Sequence, residues 1–460
     1  MSRADAIAAA RRHVTDGHFA SELARRVAIP SESPREDSGA DHRRYLEDEM
    51  RPWLESMGFS CRILENPSID RLPALFAERH EGDDLPTVLT YGHGDVLWGM
   101  AGDWDEGLDP WKLVERDGRL YGRGTVDNKG QHAINLAALS AVLEARGRLG
   151  FNVKVIIEMG EESGSPGLQE LAETHRDLLS ADVLIASDGP RIGADRPTVF
   201  LGARGSLNFH LICECREGAH HSGNWGGVLT NPGIRLAHAL ATLTDANGRI
   251  QIDAWRPPSI PENVRAALDQ LAFEPGPNDP QLNPDWGEPG LQGPAQVMGF
   301  SSFEVLAFLC GRPEAPVNAV PGWARATCQL RYVVGVDGEQ ILPALREHLD
   351  AHGFSDIKVE RMKRGFFSAT RTDPDNDWVR LVRASVEETT GKPVSLLPNL
   401  GGSLPNEVFA ETLGMPTVWV PHSHPACSQH APNEHMLASV AEEGMAMMAG
   451  VWWDIGERRA

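Results

Sequence analysis

The segment Thr87-Val88-Leu89-Thr90-Tyr91-Gly92-His93-Gly94-Asp95 decides how the rest of this chain is arranged. Its short apolar and β-branched run, bounded by Asp83-Asp84 and by glycine, predicts a buried strand from Leu85 to Tyr91. Because side chains alternate along a strand, His93 and Asp95 should emerge on one face where the strand ends. A carboxylate beside a histidine can hold one ring nitrogen while the other nitrogen binds a metal. A solvated strand end would look the same in isolation, so the interpretation depends on the rest of the chain.

Length and charge limit the class of protein to which the chain can belong. Its 460 residues exceed one typical hydrophobic core, which favours two domains. The formal net charge of -22 argues against nucleic acid and against anionic membrane surfaces as partners. The same excess of carboxylates is compatible with a bound divalent cation.

The six cysteines bear on the compartment in which the protein works. They show no C-x-x-C spacing, and the sequence has neither a signal-peptide pattern nor an apolar run long enough to cross a membrane. Cysteines in such a chain are expected to be reduced and mostly buried. We therefore predict a cytoplasmic protein.

Strand-like and helix-like segments alternate through the N-terminal part of the chain. The strands are Leu85–Tyr91, Asn152–Met159 and Asp182–Ala186, and the helices between and after them are Lys129–Glu144 and Pro166–Leu179. This alternation predicts an α/β fold with a mixed, mostly parallel sheet sandwiched by helices. Histidine or acidic residues follow each strand, and open α/β sheets bind ligands at the ends of their strands.

The pattern changes after Leu201 to strand, helix, strand, strand, helix, strand. These segments are Gly205–Cys215, Ile234–Leu243, Ser302–Leu309, Ala324–Val334, Glu339–Ala351 and Ile357–Lys363. Their order predicts a compact two-layer domain with a split βαβ layout. From Asn376 the α/β pattern resumes, and it includes a helix predicted over Leu404–Leu413. We therefore predict a first domain formed by residues 1–201 and 371–460, with a second domain of residues 202–370 inserted into it.

The polar groups that follow the strands are predicted to form one cluster. They are His93, Asp95, Asp127, Glu161, Glu162, Asp188, His422, His424 and His430. So many carboxylates at one end of a sheet would repel one another unless cations neutralised them. Two histidines and three carboxylates, one of them bridging, can hold two metal ions and leave room for water. Mixed nitrogen and oxygen ligands suit Zn²⁺, with Mn²⁺ or Co²⁺ as possible substitutes.

Several motifs, in the same order over about residues 20 to 450, resemble the aminoacylase/carboxypeptidase family of co-catalytic zinc hydrolases. They are His93-x-Asp95, Asp127-x-Lys129-Gly130, Glu161-Glu162-x-x-Gly164-Ser165-x-Gly167, Ser187-Asp188, His221-Ser222-Gly223 and His430-x-Pro432-Asn433-Glu434. The segment from Leu113 to Gly124 most resembles the carnosinase-like dipeptidase branch. The resemblance implies a zinc exopeptidase-like fold whose inserted, ferredoxin-like domain is a lid that also forms a homodimer.

The resemblance also implies a role for each residue of the cluster. His93 and Asp188 would bind one metal, Glu162 and His430 the other, and Asp127 would bridge both. Asp95 would orient His93. Glu161 would be the general base, which takes a proton from the water between the metals and passes it to the leaving amine. That scheme agrees with general chemistry, since two cations lower the pKa of water and a free carboxylate can move protons.

Other assignments from the resemblance concern the substrate. Asn318 would contact the scissile region, and His221, from a partner subunit, would stabilise the oxyanion. Arg331 would hold a substrate carboxylate, although a salt bridge within the lid is the alternative. The segment Gly401-Gly402-Ser403, placed before a helix, could bind the same carboxylate through its N–H groups. Asn128 stands where the dipeptidase branch often has a second acid, and neither His422 nor His424 is predicted to be a ligand.

These observations predict a two-metal hydrolase that cleaves the amide bond of a small peptide. An N-acyl-amino-acid deacylase is the alternative, because it would use the same metal ligands and base. A non-catalytic binding protein is the alternative from another class. Glu161 argues against it, since a protein without turnover would have little reason to retain the base together with every ligand.

Overall fold

The computed structural model describes residues 2–272, 280–362 and 366–458. The chain divides into two compact units. The first unit consists of Met1–Gly202, Arg371–Leu400 and Leu404–Ala460, and the second of Ala203–Thr370 and Gly401–Ser403. Whether the second unit acts as a lid stays a prediction.

The first unit begins with helices α1 (Arg3–Thr15) and α2 (His18–Val27), which Gly17 separates with a φ of 81°. The helix α3 (Gly39–Arg44), a π-helical segment Tyr45–Met50 and the helix α4 (Arg51–Ser56) follow one another directly. The strands β1 (Ser60–Leu64), β2 (Ala74–Arg79), β3 (Thr87–His93), β4 (Val114–Arg116) and β5 (Arg119–Tyr121) come next. The remaining elements of this part are α5 (Lys129–Arg146), β6 (Asn152–Glu158), the 3₁₀ turn Glu161–Ser163, α6 (Leu168–Thr174), α7 (Arg176–Leu179), β7 (Val183–Ala186) and β8 (Thr198–Phe200).

The second unit contains the next eleven regular elements of the chain. They are β9 (Gly205–Glu214), β10 (His220–His221), α8 (Ser222–Trp225), α9 (Pro232–Leu243), α10 (Glu262–Leu268), α11 (Pro294–Gly299), β11 (Ser302–Cys310), β12 (Ala319–Val320), β13 (Trp323–Tyr332), α12 (Ile341–Ala351) and β14 (Ile357–Arg361), besides short 3₁₀ turns at Asp253–Trp255 and Gly338–Gln340. The last part of the first unit then supplies α13 (Asp377–Thr390), β15 (Ser395–Leu397), the π-helical segment Val408–Thr412, β16 (Thr417–Trp419), β17 (His435–Leu437) and α14 (Ala438–Glu457).

The first unit is built on an eight-stranded sheet in the order β1-β2-β6-β3-β7-β16-β8-β15. The four central strands, β6, β3, β7 and β16, run parallel to one another, and β2 pairs antiparallel with β6. Because the carboxyl ends of parallel strands meet at one edge of a sheet, the residues after these four strands are brought together. The predicted α/β fold class, with a mixed and mostly parallel central sheet, is confirmed.

A second sheet of the first unit has the order β17-β5-β4. The strands β4 and β5 form a hairpin whose turn residues, Asp117 and Gly118, have φ angles of 52° and 71°. Its third strand, β17, pairs antiparallel with β5 in a register that places His435 opposite Tyr121. This pairing joins segments that are far apart in the sequence, and no local pattern predicts it.

Two predicted helices are shorter than expected. The segment Pro166–Leu179 forms two helices, because His175 leaves helical geometry with a φ of -111°. The helix predicted from Leu404 begins at Asn406 and continues as the π-helical segment Val408–Thr412. Pro405 explains the delay, since proline disfavours helical geometry in the residue before it.

In the second unit, one antiparallel sheet has the order β11-β13-β9-β14. Side chains from its strands and from α9 and α12 form one buried cluster, which includes Phe209, Leu236, Trp255, Ala326 and Leu345. A separate two-stranded pairing, β10 with β12, places His221 opposite Ala319. The strand predicted to end at Lys363 ends at Arg361, and residues 363–365 lie outside the described ranges.

Two further expectations concern membranes and thiols. Within the described ranges, none of the helices is both long enough and apolar enough to cross a lipid bilayer. All six cysteines carry free thiols, and of these Cys213, Cys328 and Cys427 are buried.

Candidate metal centre

Seven polar residues of the first unit meet at the carboxyl edge of the four parallel strands. Each follows a strand or precedes a helix: His93 and Asp95 after β3, Asp127 before α5, Glu161 and Glu162 after β6, Asp188 after β7, and His430 in the loop after β16. The structure brings the five predicted metal ligands into two groups that share Asp127. Within each group the candidate ligand atoms lie within 4.8 Å of one another.

His93, Asp127 and Asp188 form the first group, which we call position one. All three residues are buried. The Nε2 atom of His93 lies 3.0 Å from Asp127 Oδ1 and 3.5 Å from Asp188 Oδ2. This nitrogen is fully buried, yet it has no partner in hydrogen-bonding geometry among the described residues. Buried polar atoms are normally satisfied, so its position among carboxylates fits a metal ligand.

Asp127, Glu162 and His430 form the second group, which we call position two. The Nε2 atom of His430 lies 2.8 Å from Asp127 Oδ2 and 3.2 Å from Glu162 Oε2. Position two is the more open of the two, because the His430 side chain is 52% exposed whereas that of His93 is 0% exposed. Gln429, which the sequence did not single out, donates to Asp127 Oδ2 at 2.6 Å.

The electrostatics of both positions favour positive charge. Burial opposes protonation of His93, but the carboxylates of Asp127, Asp188 and Asp95 outweigh it and hold its pKa well above the usual value. Hydrogen bonds to Asp127 and Glu162 raise the pKa of His430 to about 11. Without metal each histidine therefore holds a proton among carboxylates. A divalent cation can replace these protons, because histidine binds metal in its neutral form.

Glu161 and Glu162 illustrate the opposite effect on acids. Burial raises the pKa of Glu161 well above its usual range, and the charges of Asp188, Glu162 and Asp127 add to the shift. Burial and the charge of Asp127 raise the pKa of Glu162 to about 8. Glu161 Oε2 lies 4.0 Å from His93 Nε2, beside position one but outside both groups. It is thus a carboxylate at the edge of the cluster that belongs to neither candidate group of ligands.

Asp95 contacts more of the site than the histidine it was expected to orient. Its carboxylate lies 3.4 Å from His93 Nδ1, while its own main-chain carbonyl is closer to that nitrogen, at 3.1 Å. The two carboxylate oxygens accept the backbone N–H groups of Glu161, at 3.2 Å, and Glu162, at 3.1 Å. Asp95 therefore holds the turn on which the candidate base and one candidate ligand stand.

His422 and His424 lie outside both groups. His422 is buried, and its Nε2 lies 3.2 Å from Asn135 Oδ1 on α5. The His424 ring packs edge-on against His435, with 5.6 Å between ring centroids. Burial lowers the pKa of His424 to about 4, so this histidine is neutral near pH 7.

Two buried polar networks beneath the ligands were not predicted. Glu434 pairs with Arg123 and also accepts backbone N–H groups beside Asp127. Asn128 links the loop of Asp127 to the carbonyl of Ser187, next to Asp188, at 2.8 Å. Arg123 and Glu434 both occur in motifs that the resemblance rests on, but their partner in each case lies far away in the sequence.

The other predicted site residues belong to the second unit. The ring of His221 is exposed, and its Nδ1 accepts the backbone N–H of Gly223 at 3.1 Å. The carbonyl of Asn318 accepts the N–H of Ser222 at 2.8 Å, so Asn318 and His221 are close neighbours. Arg331 donates to Ser403 Oγ at 2.9 Å and to Gln329 Oε1 at 3.2 Å, with no ion pair to it among the described residues. Ser403 follows Gly401 and Gly402 in the same segment of this unit.

Comparisons with known proteins identify the family of the chain. The model of "Peptidase family M20/M25/M40" matches residues 89–454. Cysteinylglycine-S-conjugate dipeptidase from Corynebacterium striatum is 28% identical over 364 residues, which are 76% of this chain and 76% of that protein. Cys-Gly metallodipeptidase DUG1 from Saccharomyces cerevisiae is 23% identical over 94% of both chains. Beta-Ala-His dipeptidase from Mus musculus is 38% identical over 197 residues, but the match spans only 39% of that protein.

Solved structures show the same fold. An M20 family metallo-carboxypeptidase from Sulfolobus solfataricus matches with a TM-score of 0.80 at 24% identity, over 96% of this chain and 99% of that chain. Human carnosine dipeptidase 1 matches with a TM-score of 0.76 at 22% identity, over 98% of this chain and 99% of that chain. The family model covers most of the chain, all three relatives are named as dipeptidases, and the one from Saccharomyces cerevisiae is named as a metallodipeptidase. The chain therefore belongs to the peptidase family M20/M25/M40 and is a metallopeptidase.

Proposed function

We propose that this metallopeptidase cleaves the amide bond of small peptides, dipeptides above all, with two divalent metal ions held at positions one and two. The observation that carries the proposal is the pair of triads that share Asp127, with Glu161 beside them and outside both. The names of the relatives, which are Cys-Gly and Beta-Ala-His dipeptidases, support a dipeptide substrate.

The residues of the first unit divide the work of hydrolysis. Bound divalent ions would lower the pKa of a water molecule and polarise the scissile carbonyl. Glu161 takes a proton from the attacking water and passes it to the leaving amine, the task of a general base that then becomes an acid. Asp95 keeps Glu161 and Glu162 in place through their N–H groups.

Residues of the second unit would recognise the substrate. His221 Nδ1 accepts a backbone N–H, so in the neutral ring the proton is on Nε2, which is then a donor for an oxyanion. We propose that it serves the site of a partner subunit, in a homodimer formed through the second unit. Arg331, with Ser403 and the glycines before it, would bind the substrate carboxylate, and Asn318 would lie near the scissile bond. Arg331 has no carboxylate partner among the described residues, which favours the substrate role over a salt bridge within this unit.

Zn²⁺ is the proposed metal, since histidine nitrogen and carboxylate oxygen ligands suit it, and Mn²⁺ or Co²⁺ could substitute. An N-acyl-amino-acid deacylase would use the same ligands and the same base. That activity is the second candidate, and the choice between the two depends on the acyl side of the substrate. The cytoplasmic location stays a prediction.

Turnover on a defined panel tests the proposal. Metal-depleted protein is reloaded with Zn²⁺, Mn²⁺ or Co²⁺ and assayed on Cys-Gly, β-Ala-His, other dipeptides and a series of N-acetyl-amino acids. We expect the dipeptides to be cleaved with a larger kcat/KM than the acetylated amino acids. Glu161→Gln should bind as much metal as the wild type but lose turnover by about 100-fold or more, as expected when a general base is removed.

Glu144→Gln is the matched control, because Glu144 is exposed on the outer face of α5 and should leave turnover unchanged. Preference for acetylated amino acids over every dipeptide would establish the deacylase instead. Equal turnover by the wild type and Glu161→Gln would remove Glu161 from the mechanism.

A further inference from the structure

The loop that carries His430 adopts an unfavourable backbone geometry. Ser428, His430 and Asn433 have φ angles of 57°, 62° and 64°, in the left-handed region that residues with a side chain seldom occupy. Such positions persist when the surrounding structure holds them. The N–H of His435 closes the loop by donating to the carbonyl of Cys427 at 2.9 Å. Contacts at the ends of this loop therefore act together with the hydrogen bond from Gln429 to Asp127 Oδ2 in holding His430 near Asp127.

Glu434, at the end of the loop, contacts four residues of the segment that leads to Asp127. Its main-chain carbonyl accepts the N–H of Gly122 at 3.0 Å, which continues the pairing of β17 with β5. Its Oε1 atom accepts the N–H groups of Val126 at 3.0 Å and Asp127 at 3.3 Å. Its Oε2 atom accepts Arg123 Nη1 at 2.6 Å. Glu434 is fully buried and Arg123 is 1% exposed, so water does not compete for these bonds.

Arg123 in turn holds the carboxylate of Glu434 in place. Besides its bond to Glu434, its Nε and Nη2 atoms donate to the carbonyl of Trp98 at 3.2 Å and 3.0 Å. A planar guanidinium can make these bonds in fixed directions, whereas a lysine offers a single charged nitrogen. The pair joins the loop of His430 to the segment that leads to Asp127. These are two of the three residues of position two, and Asp127 is the residue that position two shares with position one.

Position one is held by a different network. Asn128 donates its amide N–H to the carbonyl of Ser187, so its Oδ1 is the acceptor that faces His132 Nδ1 at 3.0 Å. His132 then carries its proton on Nδ1, and its Nε2 accepts the hydroxyl of Tyr45 at 2.7 Å. All of these side chains are buried. This network connects the loop of Asp127 with the loop of Asp188 and does not include Glu434.

We propose that Arg123 and Glu434 are positioning residues for position two alone, where they hold Asp127 and the His430 loop at the spacing that a second metal ion requires. The inference rests on the ligand assignment of the proposed function and extends it to how each ion is retained. When Arg123 or Glu434 is replaced, Asn128 still holds the geometry of position one. Substitutions at these two residues, which are not ligands, should therefore affect the binding of one ion and not of the other.

Charge-conserving substitutions test this inference. Arg123→Lys and Glu434→Asp keep every charge and change only reach and geometry, so a purely electrostatic effect of the pair would leave metal binding unchanged. We expect each substitution to raise one of the two Zn²⁺ dissociation constants by about 10- to 100-fold. This is the usual loss of metal affinity when a residue that orients a ligand is replaced. The measurement is a competition titration of metal-depleted protein with a zinc chelator, with bound metal counted by elemental analysis.

His430→Ala provides the background that isolates position one. This variant should bind one ion, and adding Arg123→Lys or Glu434→Asp to it should leave that ion's dissociation constant unchanged. Arg3→Lys is the control, since Arg3 also pairs with a carboxylate, that of Asp454, but between α1 and α14. It should lower thermal stability without affecting either ion. Thermal unfolding of every variant shows that the titrations are done on folded protein.

Each outcome bears on a different statement. If Arg123→Lys and Glu434→Asp bind both ions as tightly as the wild type, the positioning role is overturned. The positioning role is also overturned if they lower the affinity for the remaining ion in the His430→Ala background as strongly as they lower the affinity for the ion at position two in the otherwise wild-type protein. If His430→Ala itself binds two ions with wild-type affinity, the ligand assignment is wrong, and this inference is overturned with it.

Discussion

At the scale of single residues, burial decides the chemistry of several acids near the site. Glu158, at the end of β6, is 5% exposed and accepts the hydroxyls of Tyr91 and Ser165, both at 2.8 Å, on one oxygen. Burial and the charge of Asp95 raise its pKa from 4.5 to about 7, although those hydrogen bonds oppose the shift. Glu158 therefore binds a proton more tightly in the folded than in the unfolded chain, and this difference must appear in the stability.

We predict that Glu158→Gln makes the stability of the protein less dependent on pH. In the wild type the folded state keeps its proton between about pH 4.5 and pH 7 while the unfolded chain releases it. The contribution of Glu158 is therefore largest below pH 4.5 and is lost as the pH rises to 7, by at most about 3 kcal/mol. Glutamine can still accept both hydroxyls but carries no proton to lose. Denaturant unfolding of metal-depleted protein from pH 4.5 to 8 measures the difference, with exposed Glu144→Gln as control. Parallel curves for wild type and Glu158→Gln would contradict it.

Asp127 is the residue on which both metal positions depend. The hydrogen bond from His430 and the charges of His93 and His430 outweigh burial and keep its pKa below the usual range, so it is ionised at any pH near neutrality. We predict that Asp127→Ala loses both ions, whereas Glu161→Gln keeps both. Elemental analysis after dialysis counts the ions. Two ions retained by Asp127→Ala would rule out the shared ligand.

At the scale of elements, α5 is the helix whose start determines where Asp127 lies. Nearly all of its residues are buried, and it ends at Gly147, which has a φ of 78°. Gly130 in its first turn donates its N–H to the carbonyl of Gly124 at 3.2 Å. A Cβ atom at Gly130 would lie 2.0 Å from the carbonyl oxygen of Thr125. The helix can therefore start against this turn only because residue 130 has no side chain.

We predict that Gly130→Ala destabilises the protein by about 1–3 kcal/mol or more, the typical cost of inserting a methyl group where there is no space. Because Asp127 lies between the turn and the helix, the displacement should weaken both metal positions. Gly102→Ala is the matched control, since a Cβ atom there meets nothing within 4 Å. Thermal unfolding and zinc titration measure the two effects. A Gly130→Ala protein with wild-type melting temperature and metal affinity would show that the close approach is not needed.

At the scale of the whole molecule, the outermost strand of the second unit's sheet has the character of an interface. The strand β11 is at one end of the sheet order, and Val305, Leu306 and Phe308 on it are 46%, 55% and 43% exposed. An apolar edge strand has unpaired backbone groups that can pair with another chain. A second copy of this unit is a suitable partner, and this supports the proposed homodimer.

We predict that the double substitution Leu306→Glu and Phe308→Glu converts the proposed homodimer into a monomer, because buried carboxylates without partners oppose association. Size-exclusion chromatography with light scattering measures the mass. Leu282→Glu, at an apolar side chain that is 59% exposed elsewhere in the unit, should leave the mass unchanged. A double variant with the wild-type mass would exclude β11 from the interface, and a monomeric wild type would exclude the dimer.

We also predict that His221 acts in the partner's active site. His221→Ala and Glu161→Gln should each be inactive alone. After subunit exchange, one site of each mixed dimer has both an intact Glu161 and a donated His221, so part of the activity should return. Exchange can be followed with differently labelled subunits. Confirmed exchange without recovered activity, or full activity of His221→Ala alone, would contradict action across the dimer.

Local patterns in the sequence determined the fold class and the residues worth examining. The apolar run before His93 and the similar runs before Glu161 and Asp188 predicted parallel strands, because buried parallel strands are short and continuously apolar. Polar residues directly after such strands must meet at one edge of the sheet, so the cluster itself followed from the order of elements. The order of elements placed His422, His424 and His430 in the cluster alike, and only the family resemblance selected His430 as the ligand.

The tertiary structure alone decided which of these groups contact each other. Asp95 holds the N–H groups of Glu161 and Glu162, and Glu434 holds Arg123 and Asp127, over sequence separations of 66 and 307 residues or more. Hydrogen bonds between such distant segments depend on strand order, register and the packing of α5, and none of these leaves a periodic signal in the residues concerned. The side chains that might contribute to chemistry can therefore be read from local composition. Their distances, protonation and supporting contacts arise only when the chain is packed.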